Sequence, residues 1–310
     1  MKKNTLSEIG EFGFIDWINK EIHTDASVLK GIGDDAAILR SPGVKKRQLL
    51  TTDMLIENRH FNLKDATGYE IGRKALAVNI SDIAAMGGIP TQAVIAVGAP
   101  ANMPLVFLKE IYRGLKAIAK EFKINIVGGD TNRSDKLVLS ATLLGEVEPT
   151  HAVGRDGAKK GDVIFVTGAL GGSYRSGRHL NFTPRIAESR YLVENFKVSA
   201  MMDISDGLSS DIRRLTEASG TGAYLCAEAI PVSKDAKGLS AALEEGEDFE
   251  LLFTLSPRQA AKLTLDAKRR ALAFFSPVGR IVAKKEGVKL FKGSGSVENL
   301  LERGFDHFSR

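Results

Sequence analysis

Gly31-Ile-Gly-Asp-Asp-Ala-Ala-Ile-Leu39 sets two adjacent carboxylates, Asp34 and Asp35, in a glycine-sprung turn that runs into a short apolar strand. Four more stretches share that format: Thr51-Thr52-Asp53, Ser81-Asp82, Gly128-Gly129-Asp130-Thr131 and Asp203-Ile204-Ser205-Asp206-Gly207. Each puts a carboxylate beside Gly, Ser or Thr at the end of an apolar run, where a fold can present a side chain to a ligand without burying it. Taken singly, such dipeptides read as turns or caps. Five of them in one format, spread over both halves of the chain, predict one shared acidic cavity. Seven carboxylates cannot all ionise together without counter-charge. Hard cations such as Mg²⁺ supply that charge and prefer oxygen ligands. The expectation is a site for several Mg²⁺ ions that handles a phosphorylated substrate.

The bulk composition narrows the class. At 310 residues, 43% hydrophobic and 26% charged, the chain reads as a globular protein of one large or two medium domains. The net charge of +5 is mild, and with only 7% aromatics there is no basic stripe interleaved with rings, so nucleic acid is not an expected partner. The single cysteine, Cys226, excludes an internal disulfide and a cysteine-based zinc cluster. Its setting, Gly222-Ala-Tyr-Leu-Cys-Ala227, predicts a buried strand and a structural role. No run approaches the roughly 18 apolar residues of a membrane helix, and the N-terminus lacks an apolar signal core. No membrane association and a cytoplasmic location are expected.

Periodicity predicts alternating elements. Helices are expected over 7–22, 66–87, from Pro104 to Phe122, 184–195 (Thr183 as N-cap), 208–219, 239–245 and 257–270. Strands are expected over 47–52, ending on Asp53, and over 91–97, 124–127, 137–147, 163–167, 199–204, 222–229 and 249–255, with two or three more before the tail. On the 66–87 helix, Asn79 and Asp82 are three apart and share a face. Pro149, Gly154, Gly157 and Gly161 punctuate residues 148–162, which puts a domain boundary there and divides the chain into 1–148 and 149–310. Gly168-Ala-Leu-Gly-Gly-Ser173 reads either as a turn or as a phosphate-binding run of amides.

Common catalytic motifs fail. No G-x-x-x-x-G-K-[ST] occurs, and Gly31-x-Gly33-x-x-Ala36 carries two carboxylates where a pyrophosphate would sit. No G-x-S-x-G elbow or H-E-x-x-H occurs, and five histidines are too few for a His-rich metal site. The residues alone stop at an Mg²⁺-dependent enzyme acting on phosphates, with ATP the expected co-substrate.

At these residues the chain resembles the thiamine-monophosphate kinases of the aminoimidazole ribonucleotide synthetase (PurM-like) superfamily. The matching stretches are Gly-Ile-Gly-Asp-Asp at 31–35, Thr-Thr-Asp at 51–53 with His60-Phe61, and Lys-Ala-Leu-Ala-Val-Asn-Ile-Ser-Asp-Ile-Ala-Ala-Met-Gly at 74–87. Gly-Gly-Asp-Thr at 128–131, Arg-Asp-Gly-Ala at 155–158, Asp-Ile-Ser-Asp-Gly at 203–207, Gly-Glu-Asp-Phe-Glu at 246–250 and the tail Gly-Phe-Asp-His-Phe at 304–308 complete them, in order over nearly the whole chain.

The resemblance implies a two-domain α/β (α+β) PurM-like fold: an N-terminal mixed sheet with helices, which forms a homodimer, and a C-terminal α/β domain. It implies Mg²⁺ ligation by Asp35, Thr51, Thr52, Asp53, Asp82, Asp130, Asp203 and Asp206. ATP would be held by Tyr112, Gly129, Asp130, Arg155 and Ser205, and thiamine monophosphate by His60 and Glu247. The implied reaction carries the ATP γ-phosphate to thiamine monophosphate. The nucleophile is a phosphate oxygen already ionised at neutral pH, so no catalytic general base is expected. This chain departs from the pattern in a shorter segment between Gly172 and Arg178, in Thr150-His151 where Gly-Arg is common, and in Glu302-Arg303 where an aromatic usually stacks on the substrate. Selenophosphate synthetase is the nearest alternative in the superfamily, but no Cys precedes 226. A non-catalytic Mg²⁺-nucleotide sensor is the alternative from a different class.

Overall fold

The computed structural model describes residues 6–301 and 304, apart from 22–23, 41–42, 44, 271–274 and 294. The tail motif beyond Gly304 and the Glu302-Arg303 departure lie outside the described residues. Two mixed sheets organise the chain. The first takes β1 (Val28–Lys30), β2 (Ala37–Leu39), β3 (Arg47–Ile56), β4 (Ile89–Ala99), β5 (Asn125–Arg133) and β6 (Val138–Val147). Their spatial order is β1-β2-β3-β6-β4-β5, with only the β4–β5 pair parallel. Helix α1 (Leu6–Glu21) precedes this sheet, and α2 (Gly68–Ala85) and α3 (Leu105–Glu121) interrupt it.

The second sheet takes β7 (Val163–Thr167), β8 (Val198–Ile204), β9 (Thr221–Cys226), β10 (Glu250–Leu255), β11 (Phe275–Ala283), β12 (Val288–Phe291) and β13 (Val297–Asn299) in the order β13-β12-β9-β11-β7-β10-β8. Only β9–β12 is parallel. Between these strands run α4 (Ser173–Ser176), α5 (Arg178–Asn181), α6 (Ile186–Asn195), α7 (Leu208–Ala218), α8 (Leu239–Glu244) and α9 (Pro257–Arg270). No described helix is long and apolar enough to cross a membrane.

Helix α2 is the hub. A capping box starts it: Thr67 Oγ1 accepts from the Glu70 amide, and the Glu70 carboxylate accepts from the Thr67 amide at 2.9 Å. It is buried nearly all round, against the first sheet, α3 and the second half of the chain. Contact with α3 is so close that a Cβ on Gly72 would lie 1.9 Å from the Ile111 carbonyl oxygen. Its last turn meets the second half, where Ser189 Oγ on α6 donates to the Ala84 carbonyl at 2.5 Å. Arg190 spans the same seam, donating to the Gly87 carbonyl and to Glu148, both at 2.8 Å.

The structure corrects four local expectations. Asp53 lies in mid-strand, because β3 runs three residues further to Ile56 and stays paired with β6 throughout. The strand around 124–127 is not a short buried one: β5 continues through Gly-Gly-Asp-Thr as a sheet edge, and Val127 is 64% exposed. Cys226 is exposed, since it ends β9 on the outer side of the sheet. Helix α6 starts at Ile186 rather than 184, with Arg185 as N-cap; Arg185 is drawn instead into a two-pronged ion pair with Glu250 at 2.6 and 2.7 Å.

Candidate active site

Strand alternation turns Thr51, Asp53 and Leu55 toward α2 and leaves Thr52 and Met54 on the opposite face. Thr51 Oγ1 donates to Asp82 Oδ2 on α2 at 2.5 Å. One residue earlier on the same helix, Ser81 Oγ donates to Asp203 Oδ2 of β8 at 2.6 Å, which brings the second half in. Ligand atoms of Asp35, Asp82 and Asp203 lie within 4.8 Å of one another. The turn before β2, the last turn of α2 and the end of β8 therefore converge on one point, with Asp53 beside them and Asp206 just before α7.

Burial and mutual repulsion hold these carboxyls neutral at pH values where a surface Asp is ionised. Burial, then the Asp203 and Asp34 charges, push Asp35 up to about 7 against the opposing pull of Arg155. Asp53 is pushed to about 6 by burial, offset by a hydrogen bond with Asp82 and raised again by Asp206 and Asp35. Burial followed by the charges of Asp53, Asp203 and Asp35 carries Asp82 well above the usual carboxylate range. Asp203 stands at about 6, raised by burial and Asp53 and restrained by Ser81.

Two arginines and a lysine frame the cluster. Arg155 Nη2 donates to Asp35 Oδ1 at 2.5 Å, and its Nε lies 3.6 Å from Asp34 Oδ1. Asp34 also accepts from Lys30 at 2.6 Å, so of the two adjacent acids Asp34 is tied to cations on both sides. Asp35 Oδ2 is buried and has no hydrogen-bond partner among the described residues. Arg214 donates to Asp206 at 2.5 Å and to Asp211 at 2.8 Å. Asp211, fully buried in the first turn of α7, also accepts from the Asp206 amide. Sequence reading missed Asp211; a second Asp five residues after Asp206 was the available signal.

A cavity of about 690 Å³ opens beside this cluster. Thr52, Asp53, Ser205 and Asp206 line one part of it, and His60, Tyr174, Glu244, Glu245, Glu247 and Phe249 line another. His60 Nδ1 accepts from the Ile56 amide at 2.9 Å, so the neutral ring carries its proton on Nε2. Glu247 sits in left-handed backbone, φ 62°, and accepts from Lys74 Nζ at 2.5 Å. Lys74 is fully buried and also donates to the His60 carbonyl at 2.8 Å. Burial depresses its pKa while Glu247 opposes that shift. Sequence reading passed over Lys74, although it stands between Ile71 and Val78 on the apolar face of α2.

Three of the expected ligand residues lie elsewhere. Asp130 is exposed on β5, its carboxylate accepting from Asn132 at 2.5 Å. Gly129 is required by strand packing, since a Cβ there would lie 1.8 Å from the Ile95 carbonyl oxygen. Tyr112 is exposed on α3. None of the three lines the cavity. Three amides of the Gly168–Ser173 run are already used: Leu170 N–H donates to the Pro231 carbonyl at 2.8 Å, Gly171 N–H to Asp248 at 2.9 Å and Gly172 N–H to Glu245 at 2.7 Å, which makes this part of the loop a turn that holds Glu245 and Asp248.

The donor set fits a hard divalent cation. It is all oxygen, it is crowded with acid, and it includes a buried carboxylate oxygen without a partner among the described residues. Two docked α/β halves with carboxylates of both at their seam define the class: residues 33–147 match the AIR synthase related protein N-terminal domain, and residues 159–291 match its C-terminal domain. Within that class the thiamine-monophosphate kinase of Rhodopirellula baltica is 35% identical over 96% of this chain and 97% of its own. That of Bacillus subtilis is 34% identical over 96% of this chain and 99% of its own. A solved structure of AaThiL complexed with AMPPCP and TMP superposes with a TM-score of 0.85 at 32% identity, covering 99% of this chain and 100% of that one. The chain belongs to the thiamine-monophosphate kinase family.

Proposed function

We infer that this protein transfers the γ-phosphoryl group of ATP to the phosphate of thiamine monophosphate, giving thiamine diphosphate and ADP. The observation that carries this reading is the cluster of Asp35, Asp82 and Asp203, with ligand atoms within 4.8 Å, beside a cavity large enough for a phosphorylated ligand, in a chain of this family. Asp35, Asp53, Asp82 and Asp203, with Thr51 and Asp206 around them, would hold Mg²⁺; the Thr52 hydroxyl is turned to Ala141 and Thr142 of β6, which leaves only the main chain of that residue for the role. The ions would neutralise phosphate charge as it redistributes during transfer.

The side chains of this chain bind and align. Burial of the carboxylates excludes water from the charge centre and strengthens every electrostatic contact there. Arg155 fixes Asp35 from the second half of the chain, so the cluster is complete only when the two halves, 1–148 and 149–310, are docked. Ser205 and Arg155 would contact ATP, and His60 and Glu247 would position the acceptor. Tyr112, Gly129 and Asp130, which the resemblance assigns to ATP, do not line this cavity. No general base is needed, because the attacking phosphate oxygen is already ionised; the rate comes from alignment and charge neutralisation.

The protein is further proposed to be a homodimer built through its first sheet. The face of that sheet turned away from α2 carries Met54, Val94 and Val127, and β5 is an open edge. An open strand edge with exposed apolar side chains on the adjoining sheet face is a template for a second chain. The deciding experiment is ADP release with Mg-ATP and either thiamine monophosphate or thiamine. Turnover with the monophosphate alone is expected. Comparable phosphorylation of thiamine would require a base for a hydroxyl and would overturn the reading.

A further inference from the structure

Two aromatic side chains without a role in the cluster chemistry line the cavity, and one of them, Phe249, is buried and stacked on Phe182. Tyr174 lines the cavity and is 54% exposed. One face of its ring stacks on His179, with centroids 4.5 Å apart and planes 25° from parallel. His179 is buried, and its Nδ1 lies 3.0 Å from Lys74 Nζ and 3.1 Å from Glu247 Oε2. The stack thus rests on the buried lysine of α2 rather than on solvent.

The short helix carrying Tyr174 is pinned on all sides. Gly172 and Gly177 close α4 in left-handed backbone at φ 73° and 75°. Ser173 Oγ donates to the Glu247 carbonyl at 2.7 Å, and Arg175 donates to the Asp235 carbonyl. The same cavity is lined by Glu244, Glu245 and Glu247, the last paired with Lys74, against a single arginine, Arg59. Burial, with the charges of Glu247 and Asp65, holds the phenol pKa above its usual value, so the ring is uncharged.

A fixed, half-exposed ring in an acidic cavity suits a flat cation. We propose that Tyr174 is the platform on which the cationic heteroaromatic ring of the acceptor stacks, with His179 backing it and the glutamates supplying negative potential. The proposal rests on the reading of the acceptor as thiamine monophosphate, whose thiazolium ring carries the positive charge. Tyr174 is then a positioning residue that sets affinity and selectivity for the acceptor and leaves phosphoryl transfer untouched.

Steady-state kinetics on the full chain test this, with wild type, Tyr174→Leu and Tyr174→Phe, varying ATP and thiamine monophosphate separately. Tyr174→Leu should raise the acceptor KM about 5–30-fold and leave kcat and the ATP KM within about twofold, while Tyr174→Phe, which keeps the π face, stays near wild type. An unchanged acceptor KM in an active Tyr174→Leu overturns the platform and leaves the kinase reading standing. Equal losses in the Leu and Phe variants, or an ATP KM that moves with the acceptor KM, would assign the ring a structural role and also overturn it. A wild type inactive on thiamine monophosphate removes the parent reading and this inference together.

Discussion

Replacing Asp82 with Asn separates a metal-holding carboxylate from one that merely supports the fold. Ligand atoms of Asp82, Asp35 and Asp203 lie within 4.8 Å. Two full charges at that distance repel by about 3.5 kcal/mol at an effective dielectric of 20. With two such neighbours, Asp82 cannot stay ionised in the metal-free protein, which agrees with its pKa being well above the usual carboxylate range. In that state it is a neutral carboxyl that accepts from Thr51 and hydrogen-bonds Asp53. An Asn amide offers one acceptor and one donor in the same shape, so both contacts survive. The melting temperature in EDTA should therefore stay level or rise slightly.

With metal the balance changes. Mg²⁺ at 100 times its Kd stabilises the wild type by about 2.7 kcal/mol. Losing one charge-assisted ligand contact, about 1.5–3 kcal/mol, weakens binding roughly 10- to 150-fold. The same Mg²⁺ concentration then adds only about 0.3–1.4 kcal/mol to Asp82→Asn. Turnover should fall by about two orders of magnitude or more, the scale seen when a charge-stabilising group is removed. Thermal melts of both proteins, each with EDTA and with excess Mg²⁺, together with ADP release, make the measurement. A mutant that is destabilised in EDTA, keeps the wild-type response to Mg²⁺ and remains active would refute the cluster and its metal role.

Three further outcomes are expected. Arg155→Ala should weaken ATP binding by about 1.5–3 kcal/mol in calorimetry, and Arg155→Lys should recover only part, because a point charge cannot reproduce the guanidinium's reach to both Asp34 and Asp35. Glu148 is held at about 2: burial opposes its ionisation, but hydrogen bonds from Arg190 and His151 outweigh that. Its folded pKa lies below the usual 4.5, so the stability it contributes is present above pH 4.5 and is lost as pH falls toward 2. Glu148→Gln should flatten that part of the acid limb in urea melts at stepped pH; an unchanged limb would show that the seam pair contributes nothing. Sedimentation at micromolar concentration should give about twice the 33.5 kDa chain mass. Val127→Lys on β5 should shift that population toward monomer, and a wild type that sediments as a monomer would remove the dimer proposal.

Local chemistry let the sequence settle several things without a structure. The helix expected over 66–87 is α2, stopped by the glycine pair after Met86, a signal that acts within one helical turn; sequence reading missed the Thr67–Glu70 box that starts it. Alternating strands and helices with a Gly- and Pro-punctuated stretch at 148–162 implied two α/β halves, and the acidic dipeptides in a shared format implied a common charge centre. Which members of that format share the centre is decided by tertiary structure alone. Asp34 and Asp35 are adjacent and identical in type and both reach Arg155, yet Lys30 binds Asp34 alone, while Asp35 keeps a bare oxygen in the cluster. Asp130 has the same Gly-Asp format as Asp35, but β5 is the sheet edge and carries it to the surface. Ser81 and Asp203, 122 residues apart, meet only because α2 docks on β8. Lys74 gains its partners Glu247 and His179 in the same docking. Sequence spacing reports which groups lie on one turn or one strand face. The long-range register of strands and the packing of one half on the other set distances across the seam, and those distances fix which carboxylates repel, which are neutralised and which can take a metal ion.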